Sequence, residues 1–195
     1  MGRIKKAVYI GRFQPFTKTH RKVVQFVDAE PDIQEIVIIK GSIQWNDKNP
    51  DPFAFPSRNP FTAEECCEMI KLSLSGPIKK PWRIIQIPDT STKMTDPLWK
   101  EWVNSIIFAV GTSGFIVYTN DPREVRAFEA VGCETRPFPV SPLFFRATLV
   151  RKSIARENEK KWKKYVDQKV AEYIKKIRGP ARIAKLLELD KKEIY

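Results

Sequence analysis

Residues 5–20 read KKAVYIGRFQPFTKTH, a short apolar run that ends in a glycine-containing loop and leads to a histidine. From about 18 to 29, apolar residues recur at helical spacing and predict a helix. Residues 35–40, EIVIIK, form a β-branched aliphatic run of the kind that is covered on both faces of a parallel sheet. Strand, loop, helix and strand in this order predict a β-α-β unit.

The rest of the chain repeats this alternation. Further strands are expected at 82–87, 115–119 and 134–138, and helices at 62–75, from Asp96 or Pro97 onward, at 122–131, 147–156 and 160–178, and to about 189. The pattern predicts an α/β fold, a doubly wound parallel sheet with a helical C-terminal extension. We expect an α/β core over residues 1–145 and a basic helical segment, packed on that core, over 146–195. The proline-rich stretch 42–61 is predicted to be a long loop, which is either a lid or a disordered insertion.

Composition excludes several classes of protein. No apolar run approaches the roughly 20 residues needed to cross a bilayer, and no signal-peptide pattern is present, so a soluble protein of the cytoplasm is expected. Three cysteines without paired spacing do not indicate a disulfide framework or a zinc site. The net charge is +12, and residues 146–195 carry 16 Lys and Arg against 7 Asp and Glu. Such basicity fits either a solvated helix face or a surface that binds polyanions.

The loop after the first strand has the residue types of a phosphate site. In a parallel sheet, ligands bind beyond the carboxyl ends of the strands, beside helix N-termini whose free amides favour anions. Gly11 permits close backbone approach, and Arg12 offers a planar fork of donors. Thr17 precedes His20, the only histidine in the chain, by three residues. A lone histidine is more often structural than catalytic, but its place after this turn favours a catalytic role.

Longer strings carry a family resemblance. The segment Gly11–His20, GRFQPFTKTH, resembles the opening signature G-R-F-Q-P-F-H-x-G-H of the nucleotidyltransferase superfamily, and specifically of its archaeal-type nicotinamide-nucleotide adenylyltransferases. Residues 41–44 (GSIQ) are similar to the family's G-S-A-Q, 59–63 (NPFTA) to its N-P-F-T-A, 118–122 (YTNDP) to Y-S-G-N-P, and 147–151 (ATLVR) to the end of I-S-G-T-E-I-R. The resemblance covers nearly the whole chain.

The resemblance implies adenylyl transfer from ATP to nicotinamide mononucleotide, giving NAD and pyrophosphate. It implies catalytic roles for His20, Thr17 and Arg151. The residues expected to bind ATP phosphates are Gly11, Arg12, Phe13, Gln14, Lys18, Thr148 and Arg146. Those expected on the acceptor side are Gly41, Ser42, Asn59, Phe61, Trp99, Asn120 and Asp121. The family also implies Mg2+ bound mainly through the ATP phosphates, and a homo-oligomer by analogy.

The chain departs from the family pattern at several positions. Thr17 stands for the first histidine of the opening signature and Thr19 for its glycine, whereas Cys66 stands for an arginine and Arg146 for a serine. Trp99 has two interpretations, stacking on the nicotinamide ring or packing in the core.

Three functional alternatives follow. The first is the adenylyl transfer described above, with Arg58, Arg146 or Lys18 supplying charge that the departures remove. The second is nucleotidyl transfer to another phosphorylated acceptor. The third is a non-catalytic homologue that binds nucleotide or nucleic acid, using the basic helices around Trp162.

Overall fold

A computed structural model of the protein describes residues 5–41, 56–88, 97–111, 114–139, 147–156 and 159–193. The chain divides into two compact units. The first, which we call the sheet unit, contains the described residues among 5–11, 22–41 and 76–139. The second, the helical unit, contains those among 12–21, 56–75 and 147–193. The described helices after residue 146 belong to the same unit as the loop that follows the first strand.

The sheet unit is built on five strands in the order β3-β2-β1-β4-β5, and every neighbouring pair is parallel. Their bounds are Lys5–Gly11 (β1), Ile33–Lys40 (β2), Trp82–Gln86 (β3), Phe115–Tyr118 (β4) and Glu134–Arg136 (β5). The order reverses between β1 and β4, which is the topological switch point where ligands bind in open α/β sheets. The predicted doubly wound parallel sheet is confirmed, with β5 at one edge.

The centre of the sheet is apolar because its strands are covered on both faces. Residues 36–39 of β2 are apolar and buried, as are Val8 of β1 and Val117 of β4, which lie opposite each other in the ladder. Helix α3 (Pro97–Val110) contributes Trp102, Val103, Ile106 and Val110 to the same core, and Phe128 joins it from helix α4 (Pro122–Glu129). Burial of these side chains is the main force that holds the unit together.

The remaining helices are α1 (Lys18–Ala29), α2 (Ala63–Leu74), α5 (Ala147–Ala155), α6 (Glu159–Trp162), α7 (Gln168–Lys176) and α8 (Gly179–Glu193). The predicted cap of α2 is confirmed, since the Thr62 hydroxyl accepts from the Glu65 amide and the Glu65 carboxylate accepts from the Thr62 amide. Helix α4 ends two residues before the predicted Val131, with Ala130 as its C-cap. The predicted cap Asp96 and residues 42–55 of the predicted loop lie outside the described residues.

One helix prediction is wrong. Residues 160–178 were expected to form a single helix, whereas α6 passes into a 3-10 turn at Lys163–Tyr165 and α7 starts only at Gln168. The backbone is extended at Val166 and Asp167. The carboxylate of Asp167 accepts hydrogen bonds from Arg21 and Ser73, so contacts distant in sequence hold the break open.

In the described parts of the chain, no helix has both the length and the apolar character needed to cross a membrane.

Candidate active site

The loop after β1 is ordered by its own side chains. Gln14, predicted to bind phosphate, is buried, and its amide makes two hydrogen bonds with the backbone of Phe61: Nε2 donates to the carbonyl oxygen at 2.9 Å, and Oε1 accepts from the amide at 3.0 Å. The side chain of Gln14 therefore fastens the first motif to the N-P-F-T-A motif. Phe13 has a φ of 52°, unusual for an aromatic residue, and the Gln14–Pro15 peptide bond is cis.

Thr17 and His20 form a reciprocal cap at the start of α1. The Thr17 amide donates to His20 Nδ1 at 2.9 Å, and the Thr17 hydroxyl accepts weakly from the His20 amide at 3.5 Å. The Thr17 hydroxyl oxygen also lies 3.1 Å from Nδ1. This arrangement is a capping box in which histidine takes the place of the usual glutamate or glutamine. Thr17 thus orients His20, and its predicted role at the phosphate stays a prediction.

The cap and its surroundings determine the tautomer and the charge of the His20 imidazole. Nδ1 accepts a hydrogen bond, so the neutral ring carries its proton on Nε2. The rings of Phe13 and Phe16 lie 5.2 Å and 5.3 Å from the imidazole centre. Burial among these groups lowers the pKa of His20 to about 4. At neutral pH, His20 is therefore an uncharged hydrogen-bond donor at Nε2, and the residue as a whole is partly exposed.

Arg151 brings charge to the same unit. Its guanidinium donates to the Gln14 carbonyl at 2.7 Å and to the Thr148 hydroxyl at 3.2 Å. Burial, together with repulsion from Arg12 and Arg58, lowers the pKa of Arg151 to about 10. Arg12 and Arg58 are therefore close enough to Arg151 to act on its charge, and this arginine cluster favours a bound polyanion. Thr148 is exposed in the first turn of α5, beside amides that a helix leaves unpaired.

The remaining residues on the phosphate side, and two positions that depart from the family pattern, make few contacts that bear on phosphate binding. Gly11 ends β1, where its carbonyl accepts from the Gly41 amide at 3.0 Å. Lys18, at the start of α1, is partly exposed, and Arg146 lies outside the described residues. Thr19 stands where the family has glycine, and its hydroxyl oxygen is buried without a hydrogen-bond partner among the described residues. Cys66 is fully buried in α2 and replaces an arginine with a small apolar group.

The acceptor-side residues fall in both units. Asn59 and Phe61 are buried in the helical unit, and Ser42 lies outside the described residues. In the sheet unit, the side chain of Asn120 makes two hydrogen bonds with the backbone of Phe138: Nδ2 donates to the carbonyl oxygen at 2.9 Å, and Oδ1 accepts from the amide at 3.1 Å. Asp121 caps α4, and its carboxylate pairs with Arg123 at 2.6 Å, which lowers the pKa of Asp121. Both side chains make local structural contacts, so their predicted acceptor role stays a prediction.

Trp99 lies at the edge of the sheet-unit core. Its ring centre is 5.1 Å from that of Trp102, and it packs partly buried against the core cluster. Its indole Nε1 is buried with no hydrogen-bond partner among the described residues. These contacts support the core-packing interpretation, and ring stacking on a ligand stays a prediction.

Sequence reasoning missed a second group of polar residues in the helical unit. Arg182 of α8 donates to both carboxylate oxygens of Glu65, at 2.6 Å and 2.9 Å, and to the Pro60 carbonyl at 3.2 Å. Arg182 thus braces the turn that carries Phe61. Asp167 contacts Arg21 and Ser73 in the same unit. No local pattern marks these contacts, because their partners lie about 100 residues or more away, as the 117 residues between Glu65 and Arg182 illustrate.

Comparison with known proteins identifies the family of the chain and several relatives. Residues 8–174 match the family described as Cytidylyltransferase-like. The chain is 32% identical to the nicotinamide-nucleotide adenylyltransferase of Pyrococcus furiosus, with 98% of this chain and 95% of that protein aligned. It is 31% identical to the protein of the same name from Thermococcus onnurineus, over 97% and 94% of the two chains.

A solved structure resembles the fold. The bifunctional NMN adenylyltransferase/ADP ribose pyrophosphatase of Francisella tularensis, solved with AMP and a manganese ion, aligns with a TM-score of 0.69 at 21% identity. The alignment covers 98% of this chain and 54% of that one, so this chain spans about half the length of the bifunctional protein. The chain belongs to the cytidylyltransferase-like family and, within it, to the nicotinamide-nucleotide adenylyltransferases of archaeal type.

Proposed function

We propose that the protein transfers the adenylyl group of ATP to nicotinamide mononucleotide, forming NAD and releasing pyrophosphate. The family and its archaeal relatives support this reaction. The observation that carries the proposal is the neutral imidazole of His20, held by the Thr17 amide in the same unit as the cluster Arg12, Arg58 and Arg151. A fixed N–H donor and several guanidinium groups are what a triphosphate requires.

The reaction needs positioning rather than a covalent enzyme intermediate. A phosphate oxygen of nicotinamide mononucleotide attacks the α-phosphorus of ATP, the new P–O bond forms, and the bond to the β-phosphate oxygen breaks with pyrophosphate as leaving group. Negative charge is distributed over the transferring phosphoryl oxygens in the transition state. In our proposal, Nε2–H of His20 donates to an α-phosphate oxygen, and the arginines hold the β- and γ-phosphates.

The proposed hydrogen bond from His20 Nε2–H to the α-phosphate does not require His20 to be protonated first, because the neutral ring already carries this proton. A histidine with an ordinary pKa near 6.5 would change charge close to neutral pH, whereas burial keeps His20 neutral down to about pH 4. The aromatic rings of Phe13 and Phe16 restrict its rotation, and the Thr17 amide prevents the ring from reversing without loss of a hydrogen bond. Threonine in place of the family's histidine at position 17 is compatible with this role. The shorter of the two hydrogen bonds between Thr17 and His20 comes from the Thr17 backbone amide, which any residue except proline provides.

Magnesium belongs to the proposal through ATP. No group of three His, Cys, Asp or Glu side chains able to hold a metal occurs within the described ranges. The candidate site offers guanidinium, hydroxyl and imidazole groups, which suit phosphate oxygens rather than a hard cation. We therefore infer that Mg2+ is coordinated mainly by the ATP phosphates, where it neutralises charge on the nucleotide.

The nucleic-acid alternative has a specific observation against it. Trp162, the aromatic residue of the lysine-rich stretch, is fully buried, as are Val166 and Val170. A buried indole has no face available for stacking on a base. On family analogy we infer a homo-oligomer, which light scattering of the purified protein would test. We also infer that the protein acts in the cytoplasm.

The decisive assay supplies the protein with ATP, magnesium and nicotinamide mononucleotide and quantifies NAD and pyrophosphate. We expect the two products in equal amounts. A parallel panel replaces the acceptor with nicotinic acid mononucleotide and other phosphorylated acceptors, and replaces ATP with CTP. Pyrophosphate release only with another acceptor would refute the substrate assignment and keep the reaction class. Tight, salt-sensitive RNA binding without any pyrophosphate release would refute both.

A further inference from the structure

Asp167 uses its carboxylate outside its own helix. It is the residue before α7, and its carbonyl accepts the first helical hydrogen bond, from the Ala171 amide at 2.8 Å. Aspartate at this position usually caps the free amides of the following helix. Here the side chain makes no such bond. One carboxylate oxygen accepts from the Arg21 guanidinium and the other from the Ser73 hydroxyl.

The three residues all lie in the helical unit, and each belongs to or adjoins a different helix. Arg21 lies in the first turns of α1, Ser73 near the end of α2, and Asp167 at the start of α7. Only 13% of the Asp167 side chain and 29% of the Arg21 side chain are exposed, and Ser73 is buried. A charged hydrogen bond shielded to this degree is stronger and more directional than an ion pair on the open surface.

Arg21 belongs to the same helical turn as the candidate catalytic histidine. Its backbone amide donates to the Thr17 carbonyl at 3.1 Å and so closes the first turn of α1. In that turn the Thr17 amide donates to His20 Nδ1. The side chain of Arg21 is anchored on Asp167, so a displacement of Asp167 is transmitted to the turn that aims the imidazole.

We propose that Asp167 is a positioning residue for adenylyl transfer, which acts through Arg21 to hold the first turn of α1 and thereby the direction of His20 Nε2–H. Asp167 and Ser73 need not touch the nucleotide. This inference rests on the proposed function, because it assigns to His20 the donor contact with the α-phosphate. We call the contacts of Asp167 with Arg21 and Ser73 the clamp. Loss of the clamp is expected to slow the chemical step more than it weakens nucleotide binding, because the arginine cluster is retained.

The first test is Asp167→Asn, which preserves size and removes the charge. A small misplacement of a catalytic donor reduces the rate by roughly one to two orders of magnitude. We expect kcat to fall at least about tenfold while KM for ATP stays within about twofold. Glu35→Gln is the control, since it removes the carboxylate of another arginine pair, Arg83–Glu35 at 2.7 Å in the sheet unit, and is expected to leave kcat unchanged.

A double-mutant cycle identifies the route. If Asp167 acts through Arg21, then Arg21→Met and Asp167→Asn each reduce kcat, and the double variant is no slower than the slower single variant. Multiplicative losses would show that Asp167 acts independently of Arg21 and would overturn the proposal. An unchanged kcat in Asp167→Asn, with only a lower melting temperature, would overturn it as well.

Nitrogen-15 NMR separates failure of the clamp from failure of the proposed function. His20 is the only histidine, so its ring nitrogens give unambiguous signals. We expect Asp167→Asn to shift or broaden them at neutral pH, and Glu35→Gln to leave them unchanged. Should the wild-type protein make no NAD, the adenylyl-transfer assignment fails, whereas these spectra still test the clamp. Identical His20 spectra in wild type and Asp167→Asn would refute the clamp whatever the activity.

Discussion

Acidification is expected to destabilise the protein through His20. In the folded protein, burial lowers the pKa of His20 to about 4 from an ordinary value of 6.5. Between these two pH values the unfolded chain binds a proton that the folded chain does not bind. The free energy of unfolding therefore has its full His20 contribution above pH 6.5 and loses it as pH falls toward 4. The separation of the two pKa values corresponds to about 3 kcal/mol at most.

The comparison that isolates this effect is between wild type and His20→Gln. Glutamine at the third position after a threonine cap can accept from the Thr17 amide, so the capping contact is retained while the titrating group is removed. Carboxylates that titrate in the same range are common to both proteins and cancel in the difference. His20→Ala removes the cap as well, and is expected to cost about 1 kcal/mol more at pH 7.5 than His20→Gln.

The assay is urea unfolding at several pH values from 7.5 to 4.5, together with nitrogen-15 NMR of the single histidine. The wild-type free energy of unfolding should fall faster with acidification than that of His20→Gln. The NMR titration should have its midpoint near pH 4, with the proton on Nε2 at neutral pH. A midpoint near 6.5, a proton on Nδ1, or parallel pH profiles of the two proteins would refute the reasoning.

Three further predictions follow from single contacts. Arg151→Gln should raise KM for ATP and lower kcat/KM by about tenfold or more in steady-state assays, because it removes one of three clustered guanidinium groups; equal kinetics would contradict the phosphate role. Gly179→Ala should lower the free energy of unfolding by about 1–3 kcal/mol in urea titrations, because a Cβ there would lie 2.8 Å from Ile174 Cγ2 and 2.9 Å from the Ile174 carbonyl oxygen; no loss would mean that α7 and α8 separate readily. Thr62→Ala should cost about 1 kcal/mol by the same measurement, since it removes the side-chain half of the α2 capping box, and an unchanged stability would show that the Glu65 half suffices.

Local patterns predicted the regular structure well. Helix α1 has the predicted bounds because Val23, Val24 and Val27 form one buried face. Strand β2 was recognisable because β-branched residues that are buried on both faces leave no alternation in the sequence. The cap of α2 follows from two residues three apart. In each case the information lies within a few residues of the element that it specifies.

Side-chain roles in the site were harder to predict because they depend on distant partners. Phosphate binding by Gln14 stays a prediction, and the hydrogen bonds of its side chain with Phe61, 47 residues away, follow from no local pattern. The break before α7 depends on Arg21 and Ser73, which are 146 and 94 residues from Asp167. Arg151 was identified through the family motif alone, and its contact with the Gln14 carbonyl spans 137 residues. Contacts between residues so far apart in the chain cannot be deduced from local sequence patterns.

The central claim is that His20 donates from Nε2 to the nucleotide during adenylyl transfer. The most direct measurement is the rate of NAD formation by His20→Ala, which leaves no side-chain donor at this position, with ATP affinity determined calorimetrically on the same preparation. We predict a loss in kcat of about a hundredfold, with ATP still bound by the arginines. A His20→Ala protein that binds ATP and makes NAD at the wild-type rate would contradict the claim.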